Sequence, residues 1–353
     1  MRSHYAYSVN APGAPLELTR IARRELRPDD VAIDVTYCGV CHSDLHAIEH
    51  ADSFPLVPGH ELAGIVTAVG SAVARFRAGD AVAVGNIVDS CGTCPMCLAG
   101  QENYCTKFPT LTYGGTDRHD GLPTLGAYGS EYVAAEWFVY HLPEGLDAAA
   151  VAPLMCAGVT VWEPLKRWRA GPGRTIGVVG LGGLGHLAVK FAHALGAEVV
   201  LFTTSAAKGQ GAKELGADEI VLSTDAAAMA AQSGRLDFVL DTASAPHDLT
   251  PYLRALKLDG TLCSLGALGS MDFDPLALLV GRKSLASAGS GGRRGTQEML
   301  DFCAEHDLTA EVEVLPAHDV SEALARLKRN DVRYRFVLDM QQLRPGRGDQ
   351  PVS

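Results

Sequence analysis

The chain has 353 residues, 47% of them hydrophobic and 20% charged, with a formal net charge of −11 at pH 7. That length exceeds one typical domain, and the composition is that of a folded globular protein rather than a disordered one. The acidic balance argues against a nucleic-acid partner, whose phosphates need a Lys/Arg surface, the sequence has no juxtamembrane basic cluster, and an uncharged small-molecule partner fits better.

The first stretch, "MRSHYAYSVNAPGAPLEL", has no apolar segment of signal-peptide length, and nowhere do about eighteen apolar residues run uninterrupted, so a cytoplasmic protein is expected. Up to about residue 150 the chain shows short β-rich runs such as "DVAIDVTYCGV" and "GIVTAVG" broken by Gly and Pro, the pattern of an all-β region. "DAAAVAPLMCAGVTVWEPLKRW" (147–168) then takes a helical period. From 175 the apolar runs "TIGVVG", "EVVLF", "EIVL", "DFVLDT" and "TLCSLG" alternate with helix-length segments, which predicts βαβ units and a parallel sheet covered on both faces. Near the end "TQEMLDFCAEH" and "SEALARLKRN" read as helices, "YRFVLDM" as a closing strand and "RPGRGDQPVS" as a mobile tail.

Gly180, Gly182 and Gly185 form G-x-G-x-x-G at the junction of a predicted strand and helix, with Gly183 and Leu184 between them. The first glycine permits a tight turn, the second lets a pyrophosphate reach the backbone, and the third lets helix and strand pack. The helix N-terminus adds a favourable field for phosphate. A plain turn would explain the glycines alone; the surrounding βαβ series makes this a dinucleotide site. About twenty residues on, where NAD sites place an acid for the ribose 2′-hydroxyl, this chain has Thr203, Thr204, Ser205 and Lys208 and no carboxylate. That favours NADP(H); the competing reading has Lys208 solvated and the hydroxyls capping a helix.

Four of the nine cysteines, Cys91, Cys94, Cys97 and Cys105, lie in C-x2-C-x2-C-x7-C. Four thiolates with no open position suit a structural tetrahedral zinc. The rival is an iron–sulfur run, whose bacterial form has a last gap of three and a following Pro; here the gap is seven and Thr106 follows. Cys41, His60 and Cys156 are dispersed, and taken singly each reads equally well as a buried core residue.

"CGVCHSDLH", "VPGHELAGIVTAVG", "GDAVAVG", "CGTCPMC", "LMCAGVTVWEPL" and "GVVGLGGLGHLAVKFA", in this order, resemble the zinc-dependent medium-chain alcohol dehydrogenases, and within them the cinnamyl alcohol dehydrogenase and broad-range aldehyde reductase branch. "GRKSLASAGS" and "NDVRYRFVLDM" extend the resemblance over nearly the whole chain. It implies an α/β protein with a GroES-like, β-rich catalytic domain (1–156 and 296–353) and a doubly wound, parallel-sheet Rossmann domain for NADP(H) (157–295). It implies two zinc ions per chain. One would be catalytic, held by Cys41, His60 and Cys156 with Glu61 sharing the fourth position, and the other structural.

The resemblance further assigns Ser43 and His46 to a proton relay and Asp44 to steadying the metal ligands. Thr160 and His42 are further candidates for cofactor contacts, His42 reading alternatively as a solvent contact, and the resemblance implies a homodimer. Ser43 reads alternatively as a helix N-cap. Because His60 and Glu61 are adjacent, both can reach one ion only if the backbone turns locally, and Gly59 is placed to supply the turn. The expected activity is hydride transfer between NADPH and medium-size or aromatic aldehydes, with an NAD-linked polyol dehydrogenase or a non-catalytic nucleotide-binding zinc protein as the other readings. Leu279, Gly289 and Ser290 are candidates for the substrate pocket.

Overall fold

The computed structural model describes residues 2–206, 209, 211–266 and 270–343. The chain divides into two units, Met1–Cys156 with Gly292–Ser353, and Ala157–Gly291. The helix Arg293–Glu305 goes whole with the first unit, so the second crossing falls just ahead of it at Gly292 and not at residue 296. Lys208 and the tail from residue 344 lie outside the described residues.

The first unit is built on a seven-stranded sheet. In order its strands are Val312–Pro316, Arg335–Asp339, Asp30–Val40, Leu62–Val69, Ala81–Val84 and Tyr140–His141, while Glu131–Ala135 pairs off this path with Asp30–Val40. β-branched and small apolar residues fill these strands, and Val31, Ile33, Val35, Leu62, Val82, Phe336 and Leu338 pack into one buried core. Phe336 pairs with Val40, Cys38 with Leu62, and Leu62 with Val84. That register brings four chain ends to one edge: Cys41 after one strand, Arg335 at the start of another, Glu61 just before a third, and Gly85 just after a fourth. A Cβ on Gly85 would stand 2.7 Å from the carbonyl oxygen of Met155, so only glycine lets the Cys156 segment lie on this edge.

The second unit carries a six-stranded, all-parallel sheet in the order Glu219–Leu222, Glu198–Thr203, Thr175–Val179, Leu236–Asp241, Leu256–Ser264 and Ser284–Ser287. Its inner strands are near-continuous apolar runs, as a parallel sheet covered on both faces demands. The expected helix over 147–168 is three pieces: Ala148–Val151, a 3-10 turn Ala152–Met155 and Ala157–Arg167. The break is at Cys156, with φ −128° and ψ −69°, where the chain passes from one unit to the other. Among the described residues no single helix is long and apolar enough to cross a membrane.

Candidate metal centres and nucleotide site

Ligand atoms of Cys41, His60, Glu61 and Cys156 all lie within 4.8 Å of one another. His60 Nε2 is 3.3 Å from Cys156 Sγ, and its other ring nitrogen, Nδ1, is 3.1 Å from Asp44 Oδ1. The Asp44 contact settles which nitrogen faces the cluster and orients the ring. Gly59, at φ +95°, makes the turn that brings His60 and Glu61 to the same side. A Cβ there would also meet the Tyr128 ring at 2.5 Å. Neither residue belongs to the following strand, which begins at Leu62, so strand alternation does not separate them.

Asp44 is fully buried and its carboxylate is satisfied from four directions. The amides of Cys41 (2.9 Å) and Gly59 (3.1 Å), the Tyr128 hydroxyl (3.0 Å) and the His60 ring all converge on it. A buried carboxylate survives only with such pairing, and this one ties two ligand-bearing segments together. Glu61, also fully buried, accepts two hydrogen bonds from Arg335, one of them at 2.6 Å. Gly39 lies directly beneath it, where a Cβ would fall 2.0 Å from Glu61 Oε2.

The electrostatics follow from this crowding. A hydrogen bond with Cys156 and then one with His60 hold the Cys41 thiol well below its ordinary range against burial, while the same pairing and burial push Cys156 up. Burial opposes a charge on His60, but Asp44 outweighs it and raises the imidazole well above its usual value. Burial also pushes Glu61 up to about 7, with Arg335 pulling the other way. Two sulfurs, an imidazole and a carboxylate with mismatched protons form a cluster that a divalent cation would resolve, and the donor set is that of zinc.

Ser43 stands in the first turn of the helix His42–His50 with Oγ 3.6 Å from Cys41 Sγ. The N-cap is Cys41, so Ser43 is not a capping residue. Ser43 and His46 are exposed and sit three positions apart, on one helix face; the His46 ring lies 4.8 Å from that of His50. His42 opens the same helix and is exposed.

The four-cysteine segment closes on itself. Ligand sulfurs of Cys91, Cys94, Cys97 and Cys105 lie within 4.8 Å of one another, so the last cysteine joins the others across its seven-residue gap. Backbone amides point at the sulfurs: Cys94 N at Cys91 Sγ (3.4 Å), Cys97 N at Cys94 Sγ (3.5 Å) and Cys91 N at Cys105 Sγ (3.5 Å). The amides of Cys97 and Thr106 hold the Cys94 thiol at about 5. Thiolate-stabilising amides around four sulfurs fit a tetrahedral metal with no exchangeable position.

In the second unit the three glycines differ in conformation and surroundings. Gly180 has φ +86°. A Cβ on Gly185 would fall 2.1 Å from the Gly180 carbonyl oxygen, while one on Gly182 would meet nothing within 4 Å, leaving that stretch of backbone approachable. Leu184 precedes the helix Gly185–Ala194 at its N-terminus. Thr203 ends its strand and accepts from the Ser205 amide at 3.2 Å, with Thr204 exposed between them. Thr160 Oγ1 accepts from the Ser290 amide at 3.2 Å, and Ser290 has φ +57°. Leu279 is 75% exposed on the short helix Leu276–Leu279, and a Cβ on Gly289 would meet nothing. All these residues belong to the second unit, whereas both metal-type clusters belong to the first.

Arg335, Tyr128 and Tyr113 have no counterpart in the sequence-based list. Tyr113 packs edge-on to His60 at 5.5 Å between ring centroids, and burial followed by Asp44 raises its hydroxyl well above the usual range. The only signal for Arg335 was its place in "NDVRYRFVLDM"; a lone arginine at a strand start is otherwise unremarked.

Residues 27–144 match the alcohol dehydrogenase GroES-like domain and residues 183–305 the zinc-binding dehydrogenase domain. Over 340 residues the chain is 48% identical to an aldehyde reductase of Escherichia coli (strain K12), covering 95% of this chain and 96% of that one. The chain belongs to the zinc-binding alcohol dehydrogenase family. It is 45% identical to an NADP-dependent alcohol dehydrogenase of Mycolicibacterium smegmatis, over 96% of this chain and 98% of that one. A cinnamyl alcohol dehydrogenase from Sorghum bicolor superposes with a TM-score of 0.93 at 41% identity, covering 97% of this chain and 99% of that one. As a member of this family the chain is an oxidoreductase with a GroES-like unit and a Rossmann-type unit.

Proposed function

We propose that this alcohol dehydrogenase works as an NADP(H)-dependent aldehyde reductase on medium-size or aromatic aldehydes, with primary alcohols as substrates in reverse. The observation that carries the reading is the convergence of Cys41, His60 and Cys156 beside a helix presenting Ser43 and His46. Two sulfurs and one nitrogen would hold a zinc ion with one exchangeable position, which Glu61 can share. Zinc bound there supplies a Lewis acid at the substrate oxygen. The chain's own task is to position the aldehyde, to exclude water and to deliver the proton. Ser43, at the rim of the cluster, hydrogen-bonds the substrate oxygen, and His46 one turn along the same face connects it to solvent. The Tyr113 ring beside His60 offers an apolar wall that suits an aromatic or medium-length substrate.

Preference for NADPH rests on Thr203, Thr204 and Ser205 standing where an acid would repel a 2′-phosphate, with Lys208 beyond them. Leu279, Gly289 and Ser290 are assigned to the substrate mouth, and His42 and Thr160 to cofactor contacts. A homodimer is part of the reading: Ser284–Ser287 is the outermost strand of its sheet, and Leu276, Leu279 and Val280 are exposed next to it in the chain. A reducing, cytoplasmic setting suits nine cysteines of which none forms a disulfide.

The test is oxidation of NADPH and of NADH against a panel of aromatic and aliphatic aldehydes and polyols, with zinc counted per chain. Aldehyde-dependent NADPH oxidation that is lost with the metal supports the reading. Turnover confined to NAD and polyols would replace it with a polyol dehydrogenase, and no turnover with zinc bound would leave a nucleotide-binding protein.

A further inference from the structure

The parallel sheet of the second unit reverses its strand order between Thr175–Val179 and Leu236–Asp241, the first leading outward to Glu198–Thr203 and the second to Leu256–Ser264. A crevice at such a reversal, beyond the carboxyl ends of the strands, is where open sheets of this kind take their ligands. The glycine turn forms one lip, after Val179. The segment 242–247, after Asp241, forms the other, and the two touch. Thr242 donates its amide (3.0 Å) and its hydroxyl (2.7 Å) to the Val179 carbonyl, and its Oγ1 lies 3.3 Å from the Gly180 carbonyl oxygen. A Cβ on Gly185 would fall 3.0 Å from that Oγ1, and one on Gly266 would fall 2.2 Å from the Ala243 carbonyl oxygen. The start of the segment is therefore pressed between the glycine turn and the chain that follows Ser264.

The far end of the segment turns back on its beginning. His247 donates from Nδ1 to the Ala245 carbonyl at 2.9 Å, since a carbonyl only accepts. Its Nε2 is buried with no hydrogen-bond partner among the described residues, 3.5 Å from Asp241 Oδ1. Asp241 is 1% exposed; Oδ1 accepts the Ala243 amide (3.1 Å) and Oδ2 accepts the Ser264 hydroxyl (3.3 Å). Burial pushes its carboxyl up, and His247 is the charge that pulls it back. With a proton on Nε2 the contact is an ion pair that closes the loop. Without that proton a lone pair faces a carboxylate, and the loop loses its closure.

We propose that Asp241 and His247 are positioning residues for the cofactor, holding the segment 242–247 against the glycine turn through a contact that depends on the imidazole proton. Other titratable groups stand around the pair. Tyr252, on the helix Thr250–Ala255, sets its ring edge-on to that of His247 at 5.7 Å, and burial raises its hydroxyl. Cys263, on the strand Leu256–Ser264, is pushed up to about 12 by burial and then by Glu163 of the helix Ala157–Arg167. Asp248 follows His247 in the chain and gives its Oδ1 to the Thr250 amide at 2.8 Å. The imidazole is the side chain here whose charge ordinarily changes near neutrality. Raising the pH removes its proton, so the hold on the glycine turn is present at the acid end and lost toward the alkaline end.

The experiment titrates NADPH by fluorescence into wild type, His247→Ala, His247→Gln and Asp241→Asn between about pH 6 and 9, spanning the loss of an imidazole proton. It also follows amide hydrogen exchange of the peptide 242–247. At the acid end His247→Ala and Asp241→Asn are each expected to bind NADPH about fivefold more weakly than wild type, because the binding-competent fraction falls. Their 242–247 peptide should exchange faster in step. The wild-type advantage over His247→Ala should close as the pH rises. His247→Gln carries amide hydrogens that donate without titrating, so it should bind between the two and keep a constant ratio to His247→Ala.

Asp241→Asn keeps the shape and removes the charge, so wild-type affinity in that variant overturns the proposal. A wild-type advantage over His247→Ala that is the same at every pH overturns it as well. The affinity arm rests on the NADPH reading. A wild-type chain that does not bind NADPH would sink that reading, and the exchange arm would then decide the pair: faster exchange in both His247→Ala and Asp241→Asn sustains the contact, and unchanged exchange refutes it.

Discussion

The two cysteine-containing clusters of the first unit are made in opposite ways. Cys91, Cys94, Cys97 and Cys105 come from one short loop whose own amides point at the sulfurs. Cys41, His60, Glu61 and Cys156 come from segments far apart in the chain, brought together by the register of four neighbouring strands and held by a fully buried carboxylate. A self-contained loop can wrap an ion tightly, but its closed shell leaves no position for a substrate. A site assembled by the fold can keep one position open, because its geometry is enforced from outside by Asp44, Arg335 and Tyr128 rather than by the ion.

The contrast predicts a graded set of losses. Cys156→Ser removes a ligand of the open cluster and should reduce turnover to background while lowering zinc from two ions per chain to one. Metal analysis and an NADPH-oxidation assay on the purified variant check this, and appreciable turnover would mean that the chemistry does not use this cluster. Ser43→Ala should lower kcat by about a hundredfold, the scale of a lost proton-transfer group, with zinc content unchanged. An unaltered kcat at saturating NADPH would remove Ser43 from the relay.

Asp44→Asn keeps the shape but loses the charge that faces His60, and zinc affinity should fall by about tenfold to a hundredfold, as when an outer ligand partner is removed. Competition with a chromogenic chelator reads that loss, which should be confined to one of the two ions. Smallest in its effect on chemistry is Cys105→Ser, expected to leave kcat within about twofold at low temperature and to lower the thermal midpoint, since a structural zinc contributes folding energy directly. Should its kcat fall as far as that of Cys156→Ser, the division between a closed supporting cluster and an open reactive one would collapse.

How much of this was legible in the sequence varied with how local each feature is. The glycine loop was readable because all its requirements lie within a few residues. Gly180 takes its positive φ and Gly185 its close approach to a carbonyl that precedes it by one turn. The proximity of the four cysteines was readable for the same reason, down to Cys105, whose sulfur lies within 4.8 Å of the other three. Cys41, His60 and Cys156 were visible only through resemblance, because no spacing rule links residues whose proximity depends on strand pairing.

Arg335, Tyr113 and Tyr128 were missed outright. Each is one ordinary residue at the end of a strand or in a loop, and its meaning comes from what lies opposite. The helix over 147–168 was right in period and wrong in continuity, since apolar periodicity does not report that Cys156 leaves the helical conformation where the chain changes units.

By itself, then, the sequence determined the parallel-sheet unit with its glycine-rich turn, the β-rich unit before it and the closed cysteine loop, all consequences of short-range periodicity and spacing. Only the tertiary structure decided which distant residues share a site. The register of the strands Arg335–Asp339, Asp30–Val40, Leu62–Val69 and Ala81–Val84 carries two thiols, an imidazole, a carboxylate and an arginine to one sheet edge. The physical reason is that strand pairing costs chain entropy and is settled by the whole core at once, so the arrangement it enforces appears in no single stretch of the chain.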